Sequence, residues 1–385
     1  MKNTTVSLEE IVNYLLEKGY SLNSSKYYGN KIYNEWFGMD ANKYSDEQKK
    51  WAYDHGYLAE IAELHNLNEE NYKDFLNSED YFLLDPIDPI TKRLVDGKLT
   101  IHYTIGGKYP EYMPKYYCWI NERKIVVPMT DNPVEKYDGS IESYLKELLD
   151  KVDRVAIKPL AGAGGIGFLK LEKMNGEYYA NNKKIDSIFD IIPLIDNQYV
   201  VTEYIDQCSE FNEIWKDSAA TLRIISCNID NNSHVYVSFV RFGTALSKGA
   251  SNLTAGGVAA PFDWKTGEFT GEFYRYKEFC EDGNIVTDKH PDSGIELKGK
   301  KIPHFEEVKK LVENLSSYLS VHKFFGFDVI IGDDCVKICE INSHPSMDYA
   351  QEMVGGIWSR NDEISAFFKN ELEIKKARKK MVSNK

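Results

Sequence analysis

The chain has 385 residues, 42% of them hydrophobic, and a formal net charge of −13 at pH 7. That length supports two or three domains around a large core, and the acidic balance argues against nucleic acid as a general partner. No apolar run is long enough to span a membrane and no signal peptide opens the chain, so a cytoplasmic protein without a transmembrane segment is expected.

In chain order, Ser7-Leu-Glu-Glu10 has the form of a capping box that starts an amphipathic helix through Glu17. Residues 1–88 read as helical and rich in Tyr and Trp, with two helices between Ser45 and Leu76. Asp85-Pro-Ile-Asp-Pro-Ile90 reads as a linker. Val155-Ala-Ile-Lys158 is a strand bearing one lysine, followed by a loop holding Gly162, Gly164, Gly165 and Gly167 and by a second short strand, Phe168-Leu-Lys-Leu171. Glycines let a backbone approach a phosphate and aim its N–H groups at it. A dinucleotide fingerprint needs a helix directly after the glycines, which is absent, and a protein kinase has its lysine downstream of the loop. A plain hairpin with a glycine-rich turn is the competing reading.

Arg223 interrupts the apolar strand around Thr221-Leu-Arg223-Ile-Ile, and Arg241 interrupts Val235-Tyr-Val-Ser-Phe-Val-Arg241. A guanidinium in such a strand faces a carboxylate or a phosphate; a salt bridge to a structural acid is the alternative. Ser251 to Val258 reads as a mobile loop, with Asn252 placed to meet a phosphorylated group or a metal. Residues 304–320 carry Phe305, Val308, Val312, Leu315 and Leu319 at helical spacing. Phe325 to Asn342 reads as a core hairpin turning at Gly332-Asp333-Asp334. With a three-residue loop, Ile331 would pair with Cys335 and Asp328 with Ile338, and strand alternation would put Val336, Ile338, Glu340 and Asn342 on one face with Asp328. Two carboxylates and an amide oxygen suit Mg²⁺ shared with substrate phosphates. Ser343 to Asp348 would then line an acceptor pocket, with His344 a candidate base. The tail from Lys375 to Lys380 is basic: a solvated helix end, or a weak contact with an anionic surface. The six cysteines (Cys118, Cys208, Cys227, Cys280, Cys335, Cys339) form no Cys-x-x-Cys pair and are expected to be buried free thiols.

Together the lysine strand, the glycine loop, the strand Gln198 to Asp206 and the Glu340-x-Asn342 hairpin resemble the ATP-grasp superfamily over roughly residues 90–356. Leu94-Val-Asp96-Gly-Lys98, Tyr109 to Tyr117 and His290-Pro-Asp-Ser-Gly294 make the chain most similar to the sugar-transfer-associated ATP-grasp proteins of bacterial polysaccharide gene clusters. The resemblance implies an α+β fold, with two α/β lobes whose antiparallel sheets clamp ATP, preceded by the helical region at 1–88. The lobes would span 89–206 and 207–358, with a C-terminal helix and basic tail over 359–385. No βαβ domain opens the chain, which departs from many members of the superfamily.

The resemblance further implies that Lys158 and Lys98 contact phosphates, with Lys115 the competitor of Lys98. Gly162, Gly164, Gly165 and Gly167 would close over the phosphates. Glu203, Tyr204 and Ile205 would read adenine, and Asp206 would hold ribose. Asp328, Glu340 and Asn342 would bind magnesium, while Arg223, Arg241 and Asn252 would act on the substrate. The implied chemistry is ATP-dependent joining of a carboxylate to an amine through an acyl phosphate, on a sugar acid or amino acid. A small-molecule phosphotransferase and a non-catalytic nucleotide-binding protein are the alternatives.

Overall fold

The computed structural model describes residues 6–160, 165–195, 198–247, 249–280 and 283–383. Gly162 and Gly164 therefore lie outside the described residues. Among the described residues, fourteen strands form two antiparallel seven-stranded sheets. The first contains β1 (Tyr116–Ile120), β2 (Val126–Pro128), β3 (Arg154–Pro159), β4 (Leu169–Met174), β5 (Glu177–Ala180), β6 (Lys183–Ile185) and β7 (Tyr199–Glu203), in the order β2-β1-β7-β3-β4-β5-β6. The second contains β8 (Thr221–Ile229), β9 (Asn232–Phe242), β10 (Val258–Pro261), β11 (Phe273–Tyr274), β12 (Val286–Thr287), β13 (Phe324–Ile331) and β14 (Val336–Asn342), in the order β12-β11-β10-β9-β8-β13-β14.

Each sheet is covered by a helix whose apolar residues recur at helical spacing. The helix Ile141–Val152 buries Ile141, Tyr144, Leu145, Leu148 and Leu149 against Val155, Ile157, Leu171 and Val201 of the first sheet. The helix Phe305–Tyr318 buries Val308, Leu311, Val312 and Leu315 against Leu222, Ile224, Val240, Phe327, Val329 and Ile338 of the second. Side chains alternate along a strand, so the intervening residues of β8, β9 and β13 lie on the opposite face. That face is divided. Its rear half, with Ile225, Cys227, Val237, Phe239 and Phe324, is covered by Leu76, Leu84 and Ile87 and by Ile364, Phe368 and Leu372 of the last helix, Glu363–Ser383. Its front half carries Thr221, Arg223, Arg241, Asp328, Glu340 and Asn342, which line a cleft.

Between the halves the chain crosses at Ser343–Met347. A Cβ on Gly326 would sit 2.6 Å from Pro345 Cβ, so a glycine is what lets this segment lie on β13. The N-terminal helices pack around their own cluster, which includes Leu15, Tyr28, Tyr57 and Ile61. The first helix, Leu8–Glu17, has both capping-box hydrogen bonds between Ser7 and Glu10. Asp46–Asp54 and Ala59–Leu64 are the two helices expected between Ser45 and Leu76. The basic tail is partly docked: Lys376 pairs with Asp80 at 2.7 Å, and Lys375 donates to the Pro86 carbonyl. No helix among the described residues is long and apolar enough to cross a membrane.

The β13–β14 hairpin differs from the expected register. Ile331 pairs with Val336, not Cys335, so the loop has four residues, and Asp328 pairs with Glu340, not Ile338. A bulge between Asp328 and Val329 places one extra residue, Cys339, in β14. Alternation changes parity there. Val336 and Ile338 point into the core while Glu340 and Asn342 face the cleft, so the four do not share a face. Direct opposition nevertheless brings Asp328 and Glu340 to one side.

Candidate active site

The cleft between the sheets has a volume of about 320 Å³. From the first sheet it receives Lys158 of β3, Lys170 of β4 and Glu203 of β7, followed by Tyr204 and Ile205. Lys98, the first residue of the helix Lys98–Ile105, also lines it. Its place is set by two ties: its carbonyl accepts from Tyr116 Oη at 2.9 Å, and Asp96 accepts from both the Ser343 N–H and hydroxyl, at 2.9 and 3.0 Å. Ser343 directly follows Asn342, so the segment Leu94–Lys98 is pinned to the end of β14. Lys115, by contrast, is exposed and absent from the lining, and its backbone pairs with Glu203.

Asp328 is the centre of the second-sheet floor. Its Oδ1 accepts from Arg223 Nε at 2.6 Å and forms an ion pair with Arg241 Nη2 at 3.0 Å. Its Oδ2 accepts from Arg223 Nη2 at 3.1 Å and from Asn342 Nδ2 at 3.4 Å. Three hydrogen bonds and the Arg241 ion pair engage both oxygens of the carboxylate. Burial opposes its ionisation, but the Arg223 and Arg241 guanidiniums hold the carboxyl below its ordinary value. Glu340 opposite is in the reverse state. Burial pushes its carboxyl above the ordinary range, with Lys98 opposing the shift, and among the described residues no hydrogen bond or ion pair reaches it.

The two arginines are not equivalent. Arg223 hydrogen-bonds only Asp328 among the described residues, the structural-acid alternative. Arg241 donates to Thr221 Oγ1 and to Asn252 Oδ1, each at 2.9 Å, besides pairing with Asp328. One carboxylate shared by two guanidiniums leaves a positive charge over, and both side chains border the cleft.

Gly165 lines the cleft and lies against Asn252 and Ala250; Gly167, in the same loop, is not among the lining residues. Asp206 also lies outside the lining and pairs with Arg154 at 2.7 Å; the acids bordering the cleft on that side are Glu203 and Asp217. Ser343 to Asp348 do not line the cleft. His344 stacks on Tyr81 with ring centroids 4.2 Å apart, both ring nitrogens are buried without a hydrogen-bond partner, and burial pulls its pKa down to about 4. It is no base for this cleft. The cysteines are free, but Cys335 and Cys339 are only half-buried, and Cys339 borders the cleft. Asn181, Asn182, Lys170 and Asp217 line the cleft without having been singled out; as polar loop or short-strand residues they carry no distinguishing pattern.

Glu340 and Asn342 offer oxygens suited to magnesium. Glu340 is a half-buried carboxylate that no hydrogen bond or ion pair reaches among the described residues, and Asn342 uses its Nδ2 for Asp328 and Gly326, leaving Oδ1 as an acceptor. Two hard oxygens of this kind fit a cation that phosphates also coordinate. Asp328 fits less well, since a metal there would have to displace a guanidinium or the amide. Among the described residues no three His, Cys, Asp or Glu side chains cluster to hold a metal on their own.

Two sheets clamping a cleft with these side chains define an ATP-grasp fold. The family model for sugar-transfer associated ATP-grasp proteins matches residues 83–363, and the chain belongs to that family. No curated protein matches the chain. Similar solved structures include an ATP-grasp ligase, PsnB, complexed with a precursor peptide and AMPPNP, at 10% identity and a TM-score of 0.35 over 75% of this chain and 61% of that one. An L-amino acid ligase from Bacillus licheniformis matches at 10% identity and a TM-score of 0.37, over 69% and 44% of the two chains. D-alanyl-alanine synthetase A from Vibrio cholerae matches at 10% identity and a TM-score of 0.40, over 75% and 67%. The chain thus spans 61% of the PsnB chain and less than half of the L-amino acid ligase.

Proposed function

We propose that the protein is an ATP-dependent carboxylate–amine ligase that works through an acyl phosphate. The observation that carries this reading is the convergence of Lys98 and Lys158 with Glu340, Asn342, Arg223 and Arg241 on one cleft. Lys98 and Lys158 supply positive charge for ATP phosphates, and Glu203 to Ile205 border the place for adenine. Glu203 or Asp217 replaces Asp206 as the ribose acid. Glu340 and Asn342 would hold Mg²⁺, which when bound neutralises phosphate charge. Arg241, oriented by Thr221 and Asn252, holds the transferred phosphoryl group, while Arg223 holds Asp328.

In the first step a substrate carboxylate oxygen bonds the γ-phosphorus and the bond to ADP breaks. In the second an amine nitrogen bonds the acyl carbon, phosphate leaves with the bonding pair, and the nitrogen loses a proton. The contact of the glycine loop with Asn252 keeps water from the acyl phosphate. The family suggests a sugar acid or an amino acid of surface-polysaccharide synthesis as the substrate.

The test is turnover by the full chain with candidate acids and amines. ADP and phosphate are the expected products, formed in proportion to amine consumed. Stoichiometric AMP would refute the reading, and a phosphorylated product without amine would mark a phosphotransferase. Glu340→Gln should abolish turnover. Arg241→Lys should lower it roughly a hundredfold with nearly normal ATP affinity, because one ammonium cannot replace a planar fork. Normal turnover in both variants would remove these residues from the chemistry.

A further inference from the structure

Asn252, one of the two residues that orient Arg241, sits on a loop held from outside the cleft. β9 ends at Phe242, and the chain re-enters the sheet at Val258. Between them lies Asn252, which accepts from Arg241 and adjoins Gly165. At the start of this loop Gly243 is enclosed: a Cβ there would lie 2.1 Å from Ser218 Oγ and 2.8 Å from the Ala250 carbonyl. Thr244 Oγ1 donates to the Gly256 carbonyl at 2.7 Å, tying the two ends together. The described residues of the loop are therefore braced, where the sequence suggested mobility.

The brace comes from the segment His290-Pro-Asp-Ser-Gly294. His290 is 1% exposed. Its Nε2 lies 2.9 Å from the Gly243 carbonyl, which can only accept, so Nε2 carries the proton. Nδ1 is then an acceptor, facing the backbone N–H groups of Asp292 and Ser293 at 3.4 and 3.3 Å. Both nitrogens are used by a neutral ring in one tautomer. Trp215 stacks on that ring at 5.6 Å, and exposed Asp292 accepts the Ala245 N–H at 3.0 Å.

We propose that His290 is a positioning residue: by holding the Gly243 carbonyl it sets the 243–257 loop so that Asn252 orients Arg241 and meets the glycine loop. This rests on reading Arg241 as the group that holds the transferred phosphoryl. Asp292 is the second support of the same loop.

Three variants of the full chain test it. His290→Phe keeps a stacking ring and removes both nitrogens. His290→Gln retains an N–H that reaches toward the same carbonyl. Asp292→Ala removes an exposed acceptor and leaves the core untouched. Amide hydrogen exchange over residues 244–257 should quicken roughly tenfold in His290→Phe, less in Asp292→Ala, and return toward wild type in His290→Gln. By calorimetry, ADP with Mg²⁺ should bind all variants within about twofold of wild type, whereas inorganic phosphate added to that complex should bind roughly tenfold more weakly in His290→Phe and recover in His290→Gln, the scale of one hydrogen bond.

Unchanged exchange in both His290→Phe and Asp292→Ala overturns the brace. Equal weakening of ADP and phosphate overturns the positioning role, since general loosening would affect both. If wild type with ADP and Mg²⁺ takes up no phosphate, the Arg241 reading fails, and exchange alone decides the brace. Should His290→Phe not fold, Asp292→Ala carries both measurements, with a smaller expected change.

Discussion

Asp328 and Glu340 face one another across two strands, yet burial acts on them with opposite results. Asp328 is compensated by two guanidiniums, whereas Glu340 has no hydrogen bond or ion pair among the described residues. Their neutral amides should therefore change stability in opposite directions. Asp328→Asn leaves two buried guanidiniums without their acid and should destabilise by about 3–5 kcal/mol. Glu340→Gln removes a carboxylate whose loss of hydration outweighs the nearby charges of Lys98, Arg223 and Arg241, and should leave the melting temperature equal or higher.

The pH dependence follows from the same shifts. Glu340 titrates above its ordinary 4.5 in the fold, so the native state holds the extra proton. Stability falls as pH rises from about 4.5 through the folded value, and Glu340→Gln should remove that fall. Asp328 titrates below its ordinary 3.8, so its contribution is present above that pH and lost as pH falls through the folded value. The deficit of Asp328→Asn should accordingly shrink in acid. Denaturant melts of the three proteins across this range check both signs, and two amides that destabilise equally would contradict the assignment. At this scale the arginines were legible because a guanidinium in an apolar strand needs an acid. Asp206 was not, because position after a strand does not say which way the chain turns, and here it turns toward Arg154.

At the scale of elements, helical periodicity located the covering helix at Phe305–Tyr318, which buries one stripe, and runs of apolar residues located both strands of the hairpin. The bulge at Cys339 left no such mark. One inserted residue changes parity, and Val336 through Asn342 alternates acceptably in either parity. The brace on the 243–257 loop was equally hidden, because its partners at His290 and Asp292 are distant in sequence. The crossing segment Ser343–Met347 depends on Gly326, where a Cβ would come within 2.6 Å of Pro345 Cβ and 3.0 Å of its Cγ. A ring on a constrained backbone cannot give way cheaply. Gly326→Ala should destabilise by about 1–3 kcal/mol, the usual penalty of overpacking. It should also lower ATP turnover, because the same segment, through Ser343 and Asp96, fixes Lys98. Wild-type melting and turnover in this variant would show that the crossing segment moves freely.

On the scale of the whole molecule, the end of the N-terminal region supplies part of the cover of the second sheet's rear half. Leu76, Leu84 and Ile87 lie with Ile225, Cys227, Val237 and Phe239 in one cluster, completed by Ile364, Phe368 and Leu372. Polar links join the same parts: Lys376 with Asp80, Gln351 with both the N–H and carbonyl of Leu76, and His65 with Glu352. The sequence showed a helical segment in this place but not its purpose, because a face that covers a sheet and a face that covers other helices carry the same apolar spacing. Residues 1–88 should therefore not be separable from the rest of the chain. Removing them would expose a contiguous apolar surface beside the cleft floor, and large patches of that kind associate. Expressed alone, residues 89–385 should aggregate or melt well below the full chain, and co-expressed residues 1–88 should restore solubility by covering the patch. A soluble, monomeric 89–385 fragment with full-length melting and nucleotide affinity, measured by sedimentation and calorimetry, would show instead that the region is an appended module.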